Sequence, residues 1–157
     1  MNTHEKLLNF LQEQNAKFEL VYHNDIAGDR CEDSAVARGL ELKYGAKSLL
    51  VKANNQFYLF TLSAAKKAQS RLMRKLVGSQ KLRFATADEL LEQAGVVKGA
   101  LPPFGRPFFP FAQFVDESIW ELDKVAFNAG LLEVSVVMPR EGFLSLLEAT
   151  RATFTEV

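Results

Sequence analysis

The stretch from Lys47 to Ser63 narrows the possible folds of this chain more than any other. Two strand-like runs, Lys47 to Ala53 and Gln56 to Ser63, are separated only by Asn54-Asn55. That pattern predicts an antiparallel hairpin. Around it the apolar spacing alternates between helix and strand. Leu7, Leu8, Phe10 and Leu11 form the stripe of an opening helix, and Phe18 to Tyr22 reads as a strand. Asp29 with Glu32 resembles a capping box for a second helix, with Gly39 as its stop. A helix with Leu72, Met73 and Leu76 inward should precede a short strand around Leu82 to Ala85. Thr86 with Glu89 makes another capping box, opening a helix that ends at Gly95. Strands near Lys124 to Asn128 and Leu132 to Met138 flank Ala129-Gly130. Pro139 suits the first turn of a closing helix with Phe143, Leu146 and Leu147 inward. Helices mixed with hairpin-like neighbours favour an α+β domain with a largely antiparallel or mixed sheet over a doubly wound one.

No repeat or linker divides the 157 residues, so one domain spanning 1–157 is expected. Nineteen basic residues balance nineteen acidic ones, which argues against a protein that grips long duplex DNA through its overall field. A local basic patch remains open. Met1 to Phe10 has no signal-peptide core, no segment is long enough to span a bilayer, and the one cysteine permits no internal disulfide. A cytoplasmic location is the expectation.

Residues 95 to 105 read Gly-Val-Val-Lys-Gly-Ala-Leu-Pro-Pro-Phe-Gly, a stiff loop with an open backbone. At Gly99 no side chain stands between the main-chain amides and a carbonyl or phosphate oxygen. A plain surface connection is the other reading. Lys47 falls on the strand face of Leu49 and Val51, with its stem along apolar surface. Its ammonium either snorkels to solvent or enters a cleft beside the Gly99 loop. In the second case one cation and several backbone donors converge, as a phosphate or a developing oxyanion requires.

Other chemistry is thinner. Cys31 reads as a small buried hydrophobe, His23 as a partner for a backbone carbonyl and His4 as solvated. Two histidines and one cysteine at unrelated spacings make no metal cluster, and no cofactor is expected. Lys67, Arg71, Arg74 and Lys75 share one face of the helix that turns Leu72, Met73 and Leu76 inward. They form either a solvated face or a contact for nucleic-acid phosphates. Of the aromatics, alternation puts Phe109 and Phe111 on one side and Phe108 and Phe114 on the other. At least one set should be core, which leaves Phe104, inside the loop, to touch a ligand.

Three segments together resemble the YbaK/prolyl-tRNA synthetase-associated editing domains: Lys47-Ser-Leu-Leu-Val, Gly99-Ala-Leu-Pro-Pro-Phe-Gly and Phe127-Asn-Ala-Gly130. The resemblance covers nearly the whole chain. It implies a compact α+β fold with a curved mixed sheet surrounded by helices. It also implies a free-standing deacylase that clears mischarged tRNA, tRNA for proline carrying a small wrong amino acid above all. By the same resemblance Lys47 is the active-site lysine, and Gly99 with Pro103 belongs to the GxxxP substrate loop. Gly130 lines the same pocket, and His23 stands where many relatives carry a histidine.

An aminoacyl ester is already activated, so positioning a water and stabilising the tetrahedral intermediate suffice without a protein nucleophile. In the family the substrate's own ribose hydroxyl helps to activate that water. Pro102 and Pro103 lack N–H groups, so the donors must come from Gly99, Ala100, Leu101 or Phe104. Lys47 is then free to contact the terminal adenosine. No synthetase catalytic domain fits this length, so the enzyme must reach its tRNA unaided or through a partner such as an aminoacyl-tRNA synthetase. The alternative is a non-catalytic module that binds aminoacyl-tRNA, a nucleotide or a protein, with its pocket altered at Leu131 and Leu132.

Overall fold

The computed structural model describes residues 1–23, 35 and 38–156. The Asp29–Glu32 capping box and Cys31 therefore lie outside the described residues. Gly39 does take a left-handed φ of 71°, and the Leu40 amide reaches back to the Ala35 carbonyl. That is how a helix stops at glycine.

Among the described residues, eight strands form two sheets. The larger contains β2 (Ala46–Ala53), β3 (Gln56–Ser63), β4 (Arg83–Phe84), β5 (Ala112–Asp116) and β8 (Ala149–Ala152), in the order β4-β2-β3-β5-β8. Its β2–β3 hairpin runs from Ala46 opposite Ser63 to Ala53 opposite Gln56, and Asn54 and Asn55 both adopt positive φ, as a tight primed turn requires. β5 joins β3 in parallel and β8 joins β5 in parallel, so this sheet is mixed. The smaller sheet is antiparallel, with β1 (Glu19–Tyr22), β7 (Val134–Pro139) and β6 (Lys124–Asn128) in the order β1-β7-β6. A bridge between Gly45 and Ala126 links the two sheets at the start of β2.

Four α-helices among the described residues cover these sheets: α1 (Thr3–Glu13), α2 (Ser70–Val77), α3 (Ala87–Ala94) and α4 (Arg140–Ser145). Leu7 and Leu11 of α1 pack with Phe104, Phe127, Val136 and Phe143 in one core, while Met73 of α2 joins Val51, Phe60, Leu62 and Phe154 in another. A third cluster joins Leu50 and Leu59 of the hairpin to Ala94, Val96, Ala100, Leu101 and Phe111. The Gly99 loop is thus seated on the back of β2 by its own apolar residues.

The α+β architecture with a mixed sheet agrees with expectation. Two details differ. The closing helix ends at Ser145, so Leu146 and Leu147 lie beyond it, and the chain continues into β8, whose largely exposed Ala-Thr-Arg-Ala has no apolar alternation. Strand alternation also fails before Ala112, because residues 106–110 form a turn and a bend. Even so, Phe109 and Phe111 join the same cluster. Among the described residues, no helix is long and apolar enough to cross a membrane.

Candidate active site

Among the described residues, β2 has a strand neighbour on its outer edge only at Val51 and Lys52, where β4 pairs with it. The Leu50 carbonyl accepts from the Ala85 amide on that side, so by strand alternation the peptide group of Ser48 also faces outward, where no strand follows. Along this open edge lies a cleft of about 630 Å³, a size suited to a small-molecule group. Lys47, Ser48 and Leu49 form one wall, Lys98, Gly99 and Leu101 another, and Arg38, Ala126 and Asn128 close one end. Phe84, Ala85, Ala87 and Leu90 form the other.

Lys47 and Gly99, 52 positions apart in sequence, therefore meet across one hollow. Lys47 is half-buried, as expected of a lysine whose stem lies along apolar wall. Arg38, Lys47 and Lys98 all line the cleft, and none of the described lining residues is acidic. The site is electropositive without any help from the net charge of the chain.

Loop geometry narrows the donors. Gly99 has φ 89°, a conformation that a side chain would strain. The Ala100 amide is spent on the Val97 carbonyl and the Phe104 amide on the Pro102 carbonyl. That leaves the Gly99 and Leu101 amides without a hydrogen bond to the described residues. The loop is also fixed from behind. Gln113 of β5 donates from Nε2 to the Pro103 carbonyl at 2.9 Å and to Thr61 Oγ1, while its Oε1 accepts from the Gly105 amide at 2.8 Å. A Cβ on Gly105 would stand 2.7 Å from the Phe111 carbonyl oxygen and from Gln113 Cβ, so this glycine serves close packing.

Several expected site residues are scaffold instead. Phe104 is fully buried and packs edge-on against Phe10, Phe108, Phe127 and Phe143, so it cannot touch a ligand. Ala100, Pro102 and Pro103 are buried and absent from the cleft wall. Gly130 is buried under the first turn of α1, where an added Cβ would lie 3.0 Å from the His4 amide nitrogen. His4 is not merely solvated, because its Nδ1 lies 2.7 Å from the Ala129 carbonyl oxygen. Leu131 and Leu132 do not line the cleft either; Leu132 packs on the third core cluster.

His23 stands one step behind the cleft. Its Nε2 lies 3.1 Å from Ser135 Oγ, which is 3.3 Å from Asn128 Oδ1, and Asn128 Nδ2 donates to the Gly99 carbonyl at 2.6 Å. Arg38 ties this chain together through Nε to Ser135 Oγ and Nη2 to Asn128 Oδ1. Burial holds the His23 imidazole below its ordinary pKa; the Leu132 backbone opposes that and the Arg38 guanidinium reinforces it. Gln113, Asn128, Ser135 and Arg38 were not legible as site residues. The available signal was a lone polar residue inside an apolar strand, as in Phe111-Ala-Gln-Phe-Val.

The basic group divides. α2 begins at Ser70, so Lys67 lies before the helix and its carbonyl is bonded by the Glu156 amide. Arg71, Arg74 and Lys75 do share a surface, where with Gly78, Ser79 and Gln80 they line a shallow depression separate from the cleft.

Comparison with known proteins gives a consistent picture. Residues 27–146 match the sequence model of the aminoacyl-tRNA editing domain. A relative in Escherichia coli K12, the multifunctional Ser/Thr-tRNA deacylase ProXp-y, is 34% identical over 97% of this chain and 92% of its own length; the O157:H7 strain carries one with the same figures. A crystal structure described as a candidate trans-editing enzyme for prolyl-tRNA synthetase superposes with a TM-score of 0.86 over 100% of this chain and 99% of its own, at 23% identity. That likeness speaks for the fold.

Proposed function

Because the chain belongs to the aminoacyl-tRNA editing family and is a deacylase, we propose that its cleft hydrolyses the ester of tRNA wrongly charged with a small amino acid, serine and threonine foremost. tRNA for proline carrying such a residue is the narrower form of this proposal. The observation that carries it is the meeting of Lys47 with the Gly99 loop in one electropositive hollow. The 34% identical relative, named a Ser/Thr-tRNA deacylase, supports the choice of amino acid.

In this reading the Gly99 and Leu101 amides receive the carbonyl oxygen as it becomes an oxyanion. Preformed donors that need not reorganise are the largest single contribution a site of this type can make. Asn128 and Gln113 hold the loop so that those amides are aimed before substrate arrives. Lys47 engages the hydroxyl or phosphate oxygens of the terminal adenosine. Water attacks the carbonyl carbon with the neighbouring ribose hydroxyl assisting, and the ester oxygen leaves with a proton to restore the free 3′ end. No protein nucleophile takes part. Arg71, Arg74 and Lys75 contact phosphates further along the acceptor end, and Lys67 contributes at most its charge.

The reading of a binding module without turnover drew on Leu131 and Leu132, and neither reaches the cleft. The test is a deacylation assay on seryl-tRNA, threonyl-tRNA and a panel that includes mischarged tRNA for proline. Gly99→Ala, which strains a backbone at φ 89° and so misplaces the loop amides, should slow release by about 100-fold, and Lys47→Ala, which removes a charged hydrogen bond to the adenosine, should lower kcat/KM by about 10- to 150-fold. Undiminished turnover in both would remove the site.

A further inference from the structure

Phe84 has no place in the chemistry above, yet it is 57% exposed at one end of the cleft. It belongs to none of the core clusters, whereas its neighbours Ala85 and Leu90 pack on the third cluster and form an apolar floor beside it. Its backbone is fixed. β4 pairs Phe84 with Val51, the Ala85 amide bonds the Leu50 carbonyl, and Arg83 next to it makes a two-pronged ion pair with Glu89. The ring is therefore an exposed aromatic on a rigid strand, set at the mouth of an electropositive hollow.

The register gives its relation to the reacting end. Phe84 stands opposite Val51, and Lys47 lies four residues along the same strand, on the same face. At the rise of an extended strand this is roughly 13 Å. The cleft is thus polar at one end, with Arg38, Lys47, Lys98 and Asn128, and apolar and aromatic at the other, with Phe84, Ala85, Ala87 and Leu90. An aminoacylated terminal nucleotide has a comparable division, since its polar acyl ester is carried on the 2′/3′ side of the ribose and its flat base on C1′.

We propose that Phe84 is a positioning residue that stacks on a nucleobase at the 3′ end of the tRNA, laying the ester toward Lys47 and Gly99. The proposal rests on the deacylase reading. Base–aromatic stacking tolerates any base, so this contact secures the strand end without reading the tRNA's sequence.

The experiment has two independent arms. In the first, kinetics on seryl-tRNA are measured for Phe84→Ala, Phe84→Leu and Phe84→Trp. A lost stack should raise KM by about 5- to 150-fold in the alanine and leucine proteins with kcat unchanged, and tryptophan should restore KM. In the second, the trinucleotide CCA is titrated into the Phe84→Trp protein, with the parent as control for Trp120, and the new indole's fluorescence should be quenched. Wild-type KM in the alanine protein, full rescue by leucine, or no quenching would each overturn stacking while leaving deacylation intact. Quenching by CCA in a protein that releases no amino acid would instead retain the stack and sink the deacylase reading.

Discussion

Asn128 shows how much the candidate site depends on hydrogen bonds within the protein. Its amide is shared between the Gly99 carbonyl and the Arg38–Ser135 pair, so it sets the orientation of the peptide group that presents the Gly99 loop. Asn128→Asp removes the donor while keeping the shape. Because a small misplacement of a catalytic group can cost about 100-fold, we expect kcat to fall by that order with KM for seryl-tRNA little changed. A rise in KM alone would place Asn128 in binding. His23, at the far end of the chain, yields a pH prediction. Its folded pKa is held below the unfolded value, so the unfolded chain binds more protons there. Its contribution to stability is complete above the unfolded pKa of about 6.5 and is lost as pH falls through the folded value. The denaturation midpoint should drop between about pH 7 and pH 5, and less steeply in His23→Gln. The sequence made Lys47 and Gly99 visible through residue type and spacing. The Asn128–Ser135–His23 chain was hidden because it runs between β6, β7 and the end of β1, and only the strand pairing brings those together.

Among the elements, α3 was the most legible, because its limits are written in local chemistry. Thr86 Oγ1 accepts from the Glu89 amide, the Glu89 carboxylate accepts from the Thr86 amide, and Gly95 closes the helix with a left-handed turn. Thr86→Ala should cost about 1 kcal/mol, measurable by urea denaturation. Glu89 also binds Arg83, and that hydrogen bond, more than any other influence, lowers its pKa to about 2. Its contribution is present above the unfolded carboxylate range and disappears as pH falls toward 2. Because the Thr86 hydroxyl is one of the groups that lower this pKa, the Thr86→Ala protein should lose slightly less stability on acidification across that interval; a steeper loss than in the parent would contradict this reading of the cap. β8 was the least legible element. Its residues carry no alternation, and it exists because β5 offers a parallel edge, a tertiary cause invisible in four residues. Phe104 failed for a related reason. A loop position promised exposure, whereas four surrounding aromatic rings draw it inward.

Across the whole molecule, the basic depression and the cleft are joined by one short segment. The chain leaves α2 at Gly78, passes Ser79 and Gln80 in the depression and reaches Phe84 at the cleft mouth. A tRNA end entering the cleft over Phe84 would carry its following phosphates toward Arg71, Arg74 and Lys75. Binding should weaken as salt rises, with a shallower dependence in the Arg71→Ala/Arg74→Ala protein; for single-stranded contacts the slope changes by about 0.7 per phosphate lost. An unchanged slope would exclude that face and leave Arg74 and Lys75 to serve the C-terminal end of the helix dipole. We propose that Lys47 and the open amides beside Gly99 hold one substrate between them. A crystal structure with the non-hydrolysable 3′-amide analogue of seryl-adenosine tests it directly. The carbonyl oxygen should lie at about 3 Å from the Gly99 or Leu101 nitrogen, with the Lys47 ammonium on the ribose or phosphate side. An analogue bound with its carbonyl turned away from that loop, or seated elsewhere on the molecule, would contradict it.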